Sequence, residues 1–281
     1  QAALDAGFPA DKIVFAGVGK ADWEINLGLD NDIFCFNVES AVELEIINEL
    51  AAAKNKVASI ALRINPEVDA HTHAKITTGM KENKFGINLS QLGGVLDKLK
   101  EMKNVKLIGI HSHIGSQITD MSSFRNLVIR FNEIQEELEA HGVTVENLNF
   151  GGGLGIDYYH PNHLSIPAFD NYFAAIHKLL QVRPGQQVHF ELGRAVVGQC
   201  GSLISKVLYV KQGAKKKFAI LDAGFTELIR PAMYDAYHRI ENISSDEAVE
   251  TYDVVGPICE SSDVFGKDVE LNKAHRGDLI A

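Results

Sequence analysis

Four glycines follow a short apolar run in the segment NFGGGLGIDY, and Gly151, Gly152 and Gly153 come directly after a predicted strand. Backbone amides with no side chains around them can surround a phosphate group. The spacing matches neither the G-x-G-x-x-G dinucleotide fingerprint nor a P-loop. The segment is therefore a candidate phosphate site, and an ordinary glycine-rich turn is the alternative.

A second group of reactive side chains lies in HSHIGSQ, which contains His111, His113 and Ser116. Side chains repeat every second residue on a strand, so the two histidines point to the same side. The pair could bind zinc in a hydrolase barrel, or one imidazole could stack on a flat cofactor ring while Ser116 holds its phosphate. Two hydrogen-bonded buried histidines are the structural alternative. A further pair, His71 and His73, lies in a polar segment and receives no role.

Two segments combine arginine with a carboxylate or a phenol. ELGR places Glu191 at the end of a predicted strand and Arg194 three residues later, where a structural ion pair is the alternative to a site. Arginine beside a metal pocket would repel the ion, which argues against zinc. In RPAMYDAYH, Arg230 and Tyr234 share one face if the segment is helical. They could bind a carboxylate or form a surface contact.

One cysteine stands in a polar turn, GPICES, where Cys259 precedes Glu260. Most free cysteines are small buried hydrophobic residues, and Cys35 in the apolar run IFCF fits that description. Exposure between polar neighbours favours a reactive thiol. Cys259 is therefore a candidate for chemistry.

The composition is that of an ordinary globular protein. The 281 residues include 27 Lys and Arg against 37 Asp and Glu, giving a net charge of −10. The acidic balance without a basic stripe argues against a nucleic-acid partner, and no apolar run reaches the ~18 residues of a membrane span. Three separated cysteines form no disulfide framework, so we expect a cytoplasmic protein.

Short apolar runs alternate with amphipathic segments over about two thirds of the chain. Continuous apolar runs are typical of parallel strands covered on both faces, and strict alternation with helices predicts right-handed βαβ units. Helices are predicted over residues 41–55 after a Ser40 cap, over residues 122–141, and after Ser165 with Pro167 in the first turn. Strands are predicted in KIVFAG, DIFCFNV, VASIALRI, KLIGIHSHI, NLNFGGG and QQVHFELG.

The pattern changes near residue 200. The strand-like runs SLISKVLYV, KKFAILDAGF and ETYDVVGPICE follow, with only a possible helical turn over residues 230–237. Such a run of strands predicts an antiparallel β domain. The six preceding β units suit a doubly wound sheet, or a (β/α)8 barrel whose first two units are missing.

In one order along the chain, HSHIGSQ, FGGGLGIDY, ELGR, RPAMYDAYH and GPICES resemble the diaminopimelate decarboxylases. These are fold-type III enzymes that depend on pyridoxal 5'-phosphate (PLP), in the alanine racemase and ornithine decarboxylase superfamily. ALRINP, and TTGMKENKFGI from Thr77, belong to the same pattern. The resemblance implies an α/β fold: a TIM-type (β/α)8 barrel, six of its eight units present over residues 1–199, followed by part of an antiparallel β domain over residues 200–281.

The resemblance also implies a PLP site at the ends of the last barrel strands. His113 would stack on the pyridine ring, and Glu191 would keep the ring nitrogen protonated, so that the ring accepts the electrons left by CO2 loss. Ser116 and the glycine amides would hold the phosphate. The implied cofactor residues are His113, Ser116, Gly151, Gly152, Gly153, Glu191, Gly193 and Arg194.

The implied reaction converts meso-2,6-diaminopimelate to L-lysine and CO2, the last step of lysine biosynthesis, which makes the protein a carbon–carbon lyase. Arg194, Arg230 and Tyr234 would bind substrate carboxylate, and Glu260 would meet the distal amino group. Cys259 would reprotonate the carbanion, reaching in from the partner subunit. A homodimer with shared active sites is therefore implied.

The sequence departs from the family where the cofactor lysine is expected. The family's Schiff-base lysine lies on the first barrel strand in a Tyr-Ala-x-Lys-Ala-Asn-like segment, which is not present here. Lys20, in AGVGKAD, resembles a different position on the third strand. We therefore expect an internal piece of a longer enzyme, and we expect the 281-residue chain alone to be inactive.

Three alternatives remain open. A related decarboxylase acting on arginine, ornithine or carboxynorspermidine is the nearest, although Arg230 with Tyr234 favours a substrate with a second carboxylate. A non-catalytic homologue fits the missing lysine but not the presence of Cys259 and Glu191. The third is a zinc hydrolase built on His111 and His113, which a metal analysis without zinc would exclude.

Overall fold

All six predicted barrel strands form, and they pair in parallel. The computed structural model describes residues 1–68, 84–161, 163 and 167–281. The strands lie in the order β1-β2-β3-β5-β6-β7, with a short strand, β4, beside β3. They are β1 (Val14–Phe15), β2 (Cys35–Val38), β3 (Ala58–Asn65), β4 (Ile87–Asn88), β5 (Val105–His111), β6 (Asn147–Asn149) and β7 (Gln187–His189).

Helices connect these strands, and two begin where the sequence predicts. The Ser40 hydroxyl accepts from the Glu43 amide at 3.2 Å, so α3 starts directly after it. The third predicted helix starts at Phe169, so Pro167 precedes the helix instead of occupying its first turn. The helices are α1 (Ala2–Asp5), α2 (Asp22–Asp30), α3 (Ala41–Ala53), α4 (Leu89–Glu101), α5 (Met121–Ala140), α6 (Phe169–Leu179) and α7 (Gly193–Val197), with a 3₁₀ turn at Ala10–Lys12.

The parallel sheet is strongly curled. Strands β2 and β7 are separated by three others, which in a flat sheet would place them about 19 Å apart. Nevertheless the two strands come together here. Asn37 of β2 donates from Nδ2 to Glu191 Oε1 at 3.1 Å, and Glu191 lies two residues after the end of β7. The Phe34 and His189 rings also meet, 5.8 Å between centroids. The sheet therefore has the curvature of a barrel wall.

The two faces of this sheet differ in their packing, as alternating side chains on a strand require. One face packs with the helices into a large apolar core that includes the buried Phe36, Ile60 and Phe131. The opposite face carries a small cluster of Cys35, Ala61 and Ile108, with smaller side chains. Burial raises the pKa of the Cys35 thiol to about 12, so this cysteine is an inert core residue.

A second, five-stranded sheet follows in the order β11-β10-β9-β8-β12. One pair differs from the antiparallel expectation: β9 and β10 run parallel, because a long connection that includes a short helix, α8 (Arg230–Tyr234), carries the chain back before β10. The sheet is therefore mixed. Its strands are β8 (Ser205–Gln212), β9 (Lys217–Leu221), β10 (Val249–Val255), β11 (Val264–Asn272) and β12 (Leu279–Ile280).

The chain packs as two units. The first contains residues 1–155 and 168–195, and the second contains residues 156–167 and 196–281. The second unit has its own core, in which Val207, Tyr252 and Val254 are fully buried. No helix in the described part of the chain has both the length and the apolar character needed to cross a bilayer.

Candidate active site

Polar side chains gather where the parallel strands of the first unit end. Parallel strands bring their carboxyl ends to one edge of a sheet, where barrel enzymes carry their active sites. Several of these side chains are buried, which is unusual for polar residues and requires partners. The buried polar residues at or just after strand ends are Asn37, Glu39, Arg63, Asn65, His111, Ser112 and Asn149.

Glu191 is the acceptor at the centre of this group. Its Oε1 accepts from Asn149 Nδ2 at 2.9 Å and from Asn37 Nδ2 at 3.1 Å. Burial acts to raise the pKa of this carboxyl, but the His111 imidazole and the Asn149 amide outweigh burial and lower the pKa to about 2. The side chain is about one-third exposed. Glu191 therefore presents an ionised carboxylate in a fixed position.

His111, at the end of β5, faces that carboxylate. Its Nε2 lies 3.4 Å from Glu191 Oε2, and the residue is 1% exposed. Beyond this long contact of Nε2, the ring has a second nitrogen, Nδ1, that has no hydrogen-bond partner among the described residues. A buried polar atom without a partner is costly, so this imidazole lies where a bound molecule could complete its hydrogen bonds.

His113 lies two residues further on and is held through its ring. The Gly152 amide donates to His113 Nδ1 at 3.1 Å, which assigns the proton of the neutral ring to Nε2. Burial, then the positive charge of Arg63, lowers the pKa of His113 to about 4. The side chain is therefore a neutral, oriented aromatic ring at neutral pH, suited to stacking on another flat ring.

The glycine-rich turn passes too close to neighbouring backbone to accept side chains. A Cβ at Gly151 would lie 2.5 Å from the Ser112 carbonyl oxygen, and one at Gly152 only 2.2 Å from that of Glu191. Gly153 has a φ of +109°, a conformation that side chains disfavour. The turn therefore needs glycine for its packing as well as for any ligand.

Two of the three glycine amides are already engaged within the chain. The Gly151 amide donates to Asn149 Oδ1 at 2.9 Å, and the Gly152 amide donates to His113. These bonds tie the turn to Asn149, which also donates to Glu191, and to the ring of His113. The phosphate role of the glycine amides stays a prediction, and these contacts show what such a role would have to replace.

Ser116 and Arg194 form the cationic side of the site. Arg194 Nη2 donates to Ser116 Oγ at 3.0 Å, and its Nε lies 3.3 Å from the same oxygen. The Gly193 amide donates to the Glu191 carbonyl at 2.9 Å, which turns the chain into α7. A guanidinium beside a hydroxyl is a suitable pair for an anionic group such as phosphate.

The second unit carries the other predicted residues. Arg230 and Tyr234 both lie on α8, which confirms the helical turn that would place them on one face. Cys259 and Glu260 lie in an exposed turn after β10. The buried Asp263 carboxylate anchors this turn, since it accepts from the Ile258 amide at 2.8 Å and the Phe225 amide at 2.7 Å.

Lys20 is fully engaged and unavailable for covalent chemistry. Its ammonium group donates to the Gly17 and Asn37 carbonyls, both at 2.7 Å, and to Glu43 Oε1 at 2.6 Å. The side chain is 1% exposed. An ammonium has three donors, and all three are used, which agrees with leaving Lys20 out of the site.

Sequence reasoning missed the two asparagines that hold Glu191. Asn37 in FNVES and Asn149 in NLNF are polar residues inside apolar strand patterns, and that interruption was the available signal. It also missed the buried ion pair between Arg63 Nη1 and Glu39 Oε1, 2.6 Å apart. The candidate pair His71 and His73, and most of the segment from Thr77, lie outside the described residues.

Comparison with known proteins gives one consistent family. Residues 1–198 match the family described as pyridoxal-dependent decarboxylase, pyridoxal binding domain. Diaminopimelate decarboxylase of Bacteroides thetaiotaomicron is 70% identical to this chain over 281 residues, which are 100% of this chain and 73% of that protein. The Haemophilus influenzae diaminopimelate decarboxylase is 43% identical, and the match covers 99% of this chain and 66% of that protein.

A solved structure has the same architecture. The crystal structure of diaminopimelate decarboxylase from Helicobacter pylori complexed with L-lysine superposes with a TM-score of 0.91 at 38% identity, covering 99% of this chain and 69% of that one. The chain thus spans between 66% and 73% of the length of these three relatives.

Proposed function

The chain belongs to the diaminopimelate decarboxylase family of PLP-dependent enzymes, and from this premise we propose that the protein decarboxylates meso-2,6-diaminopimelate to L-lysine and CO2. The family membership confirms the resemblance, the fold class and the PLP cofactor predicted from the sequence. It places the chain among pyridoxal-dependent decarboxylases and not among zinc hydrolases. The observation that carries the proposal is the ionised Glu191 carboxylate, held by Asn37 and Asn149 next to the neutral His113 ring.

The residues of the first unit fit PLP. The flat, neutral His113 imidazole provides a face for stacking. The glycine turn, which excludes side chains, allows a close approach. The Arg194–Ser116 pair provides a partner for an anion. His111 adds a buried ring nitrogen, Nδ1, that has no hydrogen-bond partner among the described residues. When bound, PLP supplies an electron sink for the electron pair released as CO2 leaves.

We assign each group of the chain a task that matches its state. Glu191, whose carboxyl has a pKa lowered to about 2, would accept a hydrogen bond from a protonated ring nitrogen and so keep that proton in place. His113 would stack on the ring. Arg194 and Ser116 would bind the phosphate, with Gly151, Gly152, Gly153 and Gly193 allowing the close approach.

The second unit would supply recognition and the proton. Arg230 and Tyr234 on α8 bind a substrate carboxylate, and Glu260 accepts from the distal ammonium group. The thiol of Cys259, in its exposed turn, donates a proton to the carbon that has lost CO2. We also propose that the active sites are shared within a cytoplasmic homodimer, and that residues 1–199 form the cofactor-binding part and residues 200–281 the C-terminal part.

The experiment that tests the substrate compares Arg230→Met with wild type, each prepared as the full-length gene product loaded with PLP (the holoenzyme). We expect KM for diaminopimelate to rise about 10- to 100-fold, the equivalent of one hydrogen-bonded ion pair, while PLP absorbance stays unchanged. Arg239→Met, an exposed arginine of the same segment, is the matched control. Lysine formation is the readout.

Three outcomes would decide against the proposal. An unchanged KM in Arg230→Met would remove the second carboxylate from the recognition scheme and favour a decarboxylase of arginine or ornithine. If the wild-type holoenzyme releases CO2 from ornithine or arginine faster than from diaminopimelate, the assigned substrate is wrong. No CO2 release from any of the three would favour a non-catalytic homologue.

A further inference from the structure

Three aromatic or cationic side chains of the second unit are in mutual contact around Arg230. Its guanidinium carbon lies 4.6 Å from the centroid of the Tyr158 ring. Its Nη1 lies 2.8 Å from His238 Nε2. The Tyr158 and His238 rings meet edge to face, 4.9 Å between centroids at 70°. Each of the three groups thus touches the other two.

We infer that Tyr158 and His238 are positioning residues for Arg230, which hold its guanidinium in the plane that accepts the second carboxylate of the substrate. This inference rests on the proposed function, in which Arg230 binds that carboxylate. Neither Tyr158 nor His238 is assigned a contact with substrate or cofactor. Both act only through the arginine.

Only one assignment of donor and acceptor is possible in the Arg230–His238 hydrogen bond. Guanidinium carries donors only and stays protonated in proteins, so His238 Nε2 is the acceptor. The imidazole is therefore neutral, with its proton on Nδ1. This bond uses one guanidinium N–H of Arg230 and fixes the rotation of the group about its long side chain.

Tyr158 fixes the remaining freedom. A guanidinium attracted to an aromatic face, here 4.6 Å from its carbon to the ring centroid, has fewer positions open to it. An unrestrained arginine loses side-chain entropy when it binds a ligand, and one that already contacts a ring and a hydrogen-bond acceptor has less entropy left to lose. Bidentate binding of a carboxylate then requires little further ordering of the Arg230 side chain.

A neighbouring contact keeps the two chain segments together. Tyr159 stacks on Tyr237 with centroids 4.5 Å apart and planes 8° from parallel. Consecutive residues of one segment, 158 and 159, therefore pair with consecutive residues of the other, 238 and 237. This doubled contact explains how Tyr158, from a segment distant in sequence, stays beneath Arg230.

A double-mutant cycle on the PLP-loaded holoenzyme tests the inference, with KM and kcat for diaminopimelate as readouts. His238→Leu removes the acceptor, and we expect KM to rise about 10-fold, as for one hydrogen bond to a charged group, with a smaller change in kcat. His238→Gln keeps an acceptor and should recover most of the loss. Tyr158→Leu should raise KM, and Tyr158→Phe, which keeps the ring, should raise it less.

The cycle separates positioning from a general structural effect. In an Arg230→Met background, His238→Leu should produce no further change in KM, because its effect passes through the missing guanidinium. Tyr209→Leu is the matched control, since Tyr209 lies beneath Arg276 in a similar contact, 5.3 Å from the ring centroid. It should leave KM unchanged.

The outcomes distinguish this inference from the function on which it rests. If Arg230→Met itself leaves KM unchanged, the proposed carboxylate role fails first. If Arg230→Met raises KM but His238→Leu and Tyr158→Leu do not, only the positioning inference is overturned. Fully additive effects of Arg230→Met and His238→Leu would overturn it as well. Should His238→Leu fail to fold, the His238→Gln and Tyr158 pair of variants carries the same comparison.

Discussion

Asn149→Asp is the substitution that most directly probes the carboxylate of the candidate site. Asn149 uses both ends of its amide: Oδ1 accepts from the Gly151 amide at 2.9 Å, and Nδ2 donates to Glu191 Oε1 at 2.9 Å. Aspartate keeps the first contact. At the contact with Glu191, the substitution replaces the Nδ2 donor by a carboxylate oxygen that faces Glu191 Oε1. The side-chain volume hardly changes.

The size of the effect follows from that distance. Two unit charges 2.9 Å apart repel by about 6 kcal/mol at an effective dielectric constant of about 20, and by about 3 kcal/mol at about 40. The one-third exposure of the Glu191 side chain favours the lower figure. Such energies correspond to about two to four pKa units. The pair of carboxyls in the variant should therefore take up one proton with an apparent pKa of about 4 to 6.

The sign of the pH dependence differs between the two proteins. In the native chain the pKa of Glu191 is lowered from 4.5 to about 2, so its ionisation adds stability above pH 4.5 that is lost as the pH falls towards 2. In Asn149→Asp the pair has a raised pKa, so the variant is least stable at neutral pH and recovers as the pH falls through about 5.

The assay is urea unfolding of both proteins between pH 4 and pH 8. The difference in unfolding free energy should be about 3 kcal/mol or more at pH 7 and should shrink at pH 4. Asn149→Leu is the matched control, because it removes the same donor to Glu191 without placing a second carboxylate beside it. A difference that is equal at both pH values, or the same pH profile in the control, would refute the assigned role of Asn149.

Two further predictions concern the same turn and ring. Gly152→Ala should lower the unfolding free energy by about 1–3 kcal/mol or more and weaken PLP binding, because the new Cβ would lie 2.2 Å from the Glu191 carbonyl oxygen. Urea unfolding measures the first effect and PLP titration the second. Gly94→Ala, with open space around it, should not destabilise the protein. Equal stability of the two alanine variants would contradict the close approach. His113→Phe should flatten the loss of stability between pH 6.5 and 4, because a folded-state pKa of about 4 lets the unfolded chain take up a proton first as the pH falls. Thermal unfolding at each pH is the measurement, and an unaltered slope would show that His113 titrates near its ordinary value.

The strands of the first unit could be predicted because burial on both faces gives continuous apolar runs. The Ser40 cap was also readable, since its partner Glu43 stands three residues on. The parallel pairing of β9 with β10 was not readable, because nearest neighbours in sequence favour antiparallel hairpins and only tertiary packing decides otherwise. The same holds for the beginning of α6 at Phe169 instead of near Pro167.

The sequence pointed to part of the candidate site, but not to the two asparagines that hold Glu191 or to the internal hydrogen bonds. Glu191, His111 and His113 are brought together, as strand ends in a curled sheet require. That the Gly151 and Gly152 amides are used by Asn149 and His113 depends on distances of a few tenths of an ångström, which no sequence pattern encodes. The roles of these residues stay proposals until the variants are measured.

The contact between Asn37 and Glu191 joins residues 154 positions apart, and this fixes the order in which the site can assemble. As the chain is synthesised, Asn37 and Asn149 emerge before Glu191, the acceptor of both side-chain amides. Each such amide without a partner costs about 1–3 kcal/mol when buried. Addition of the segment that carries Glu191 removes both costs together, so the last strand of the parallel sheet satisfies polar groups on two strands made long before it.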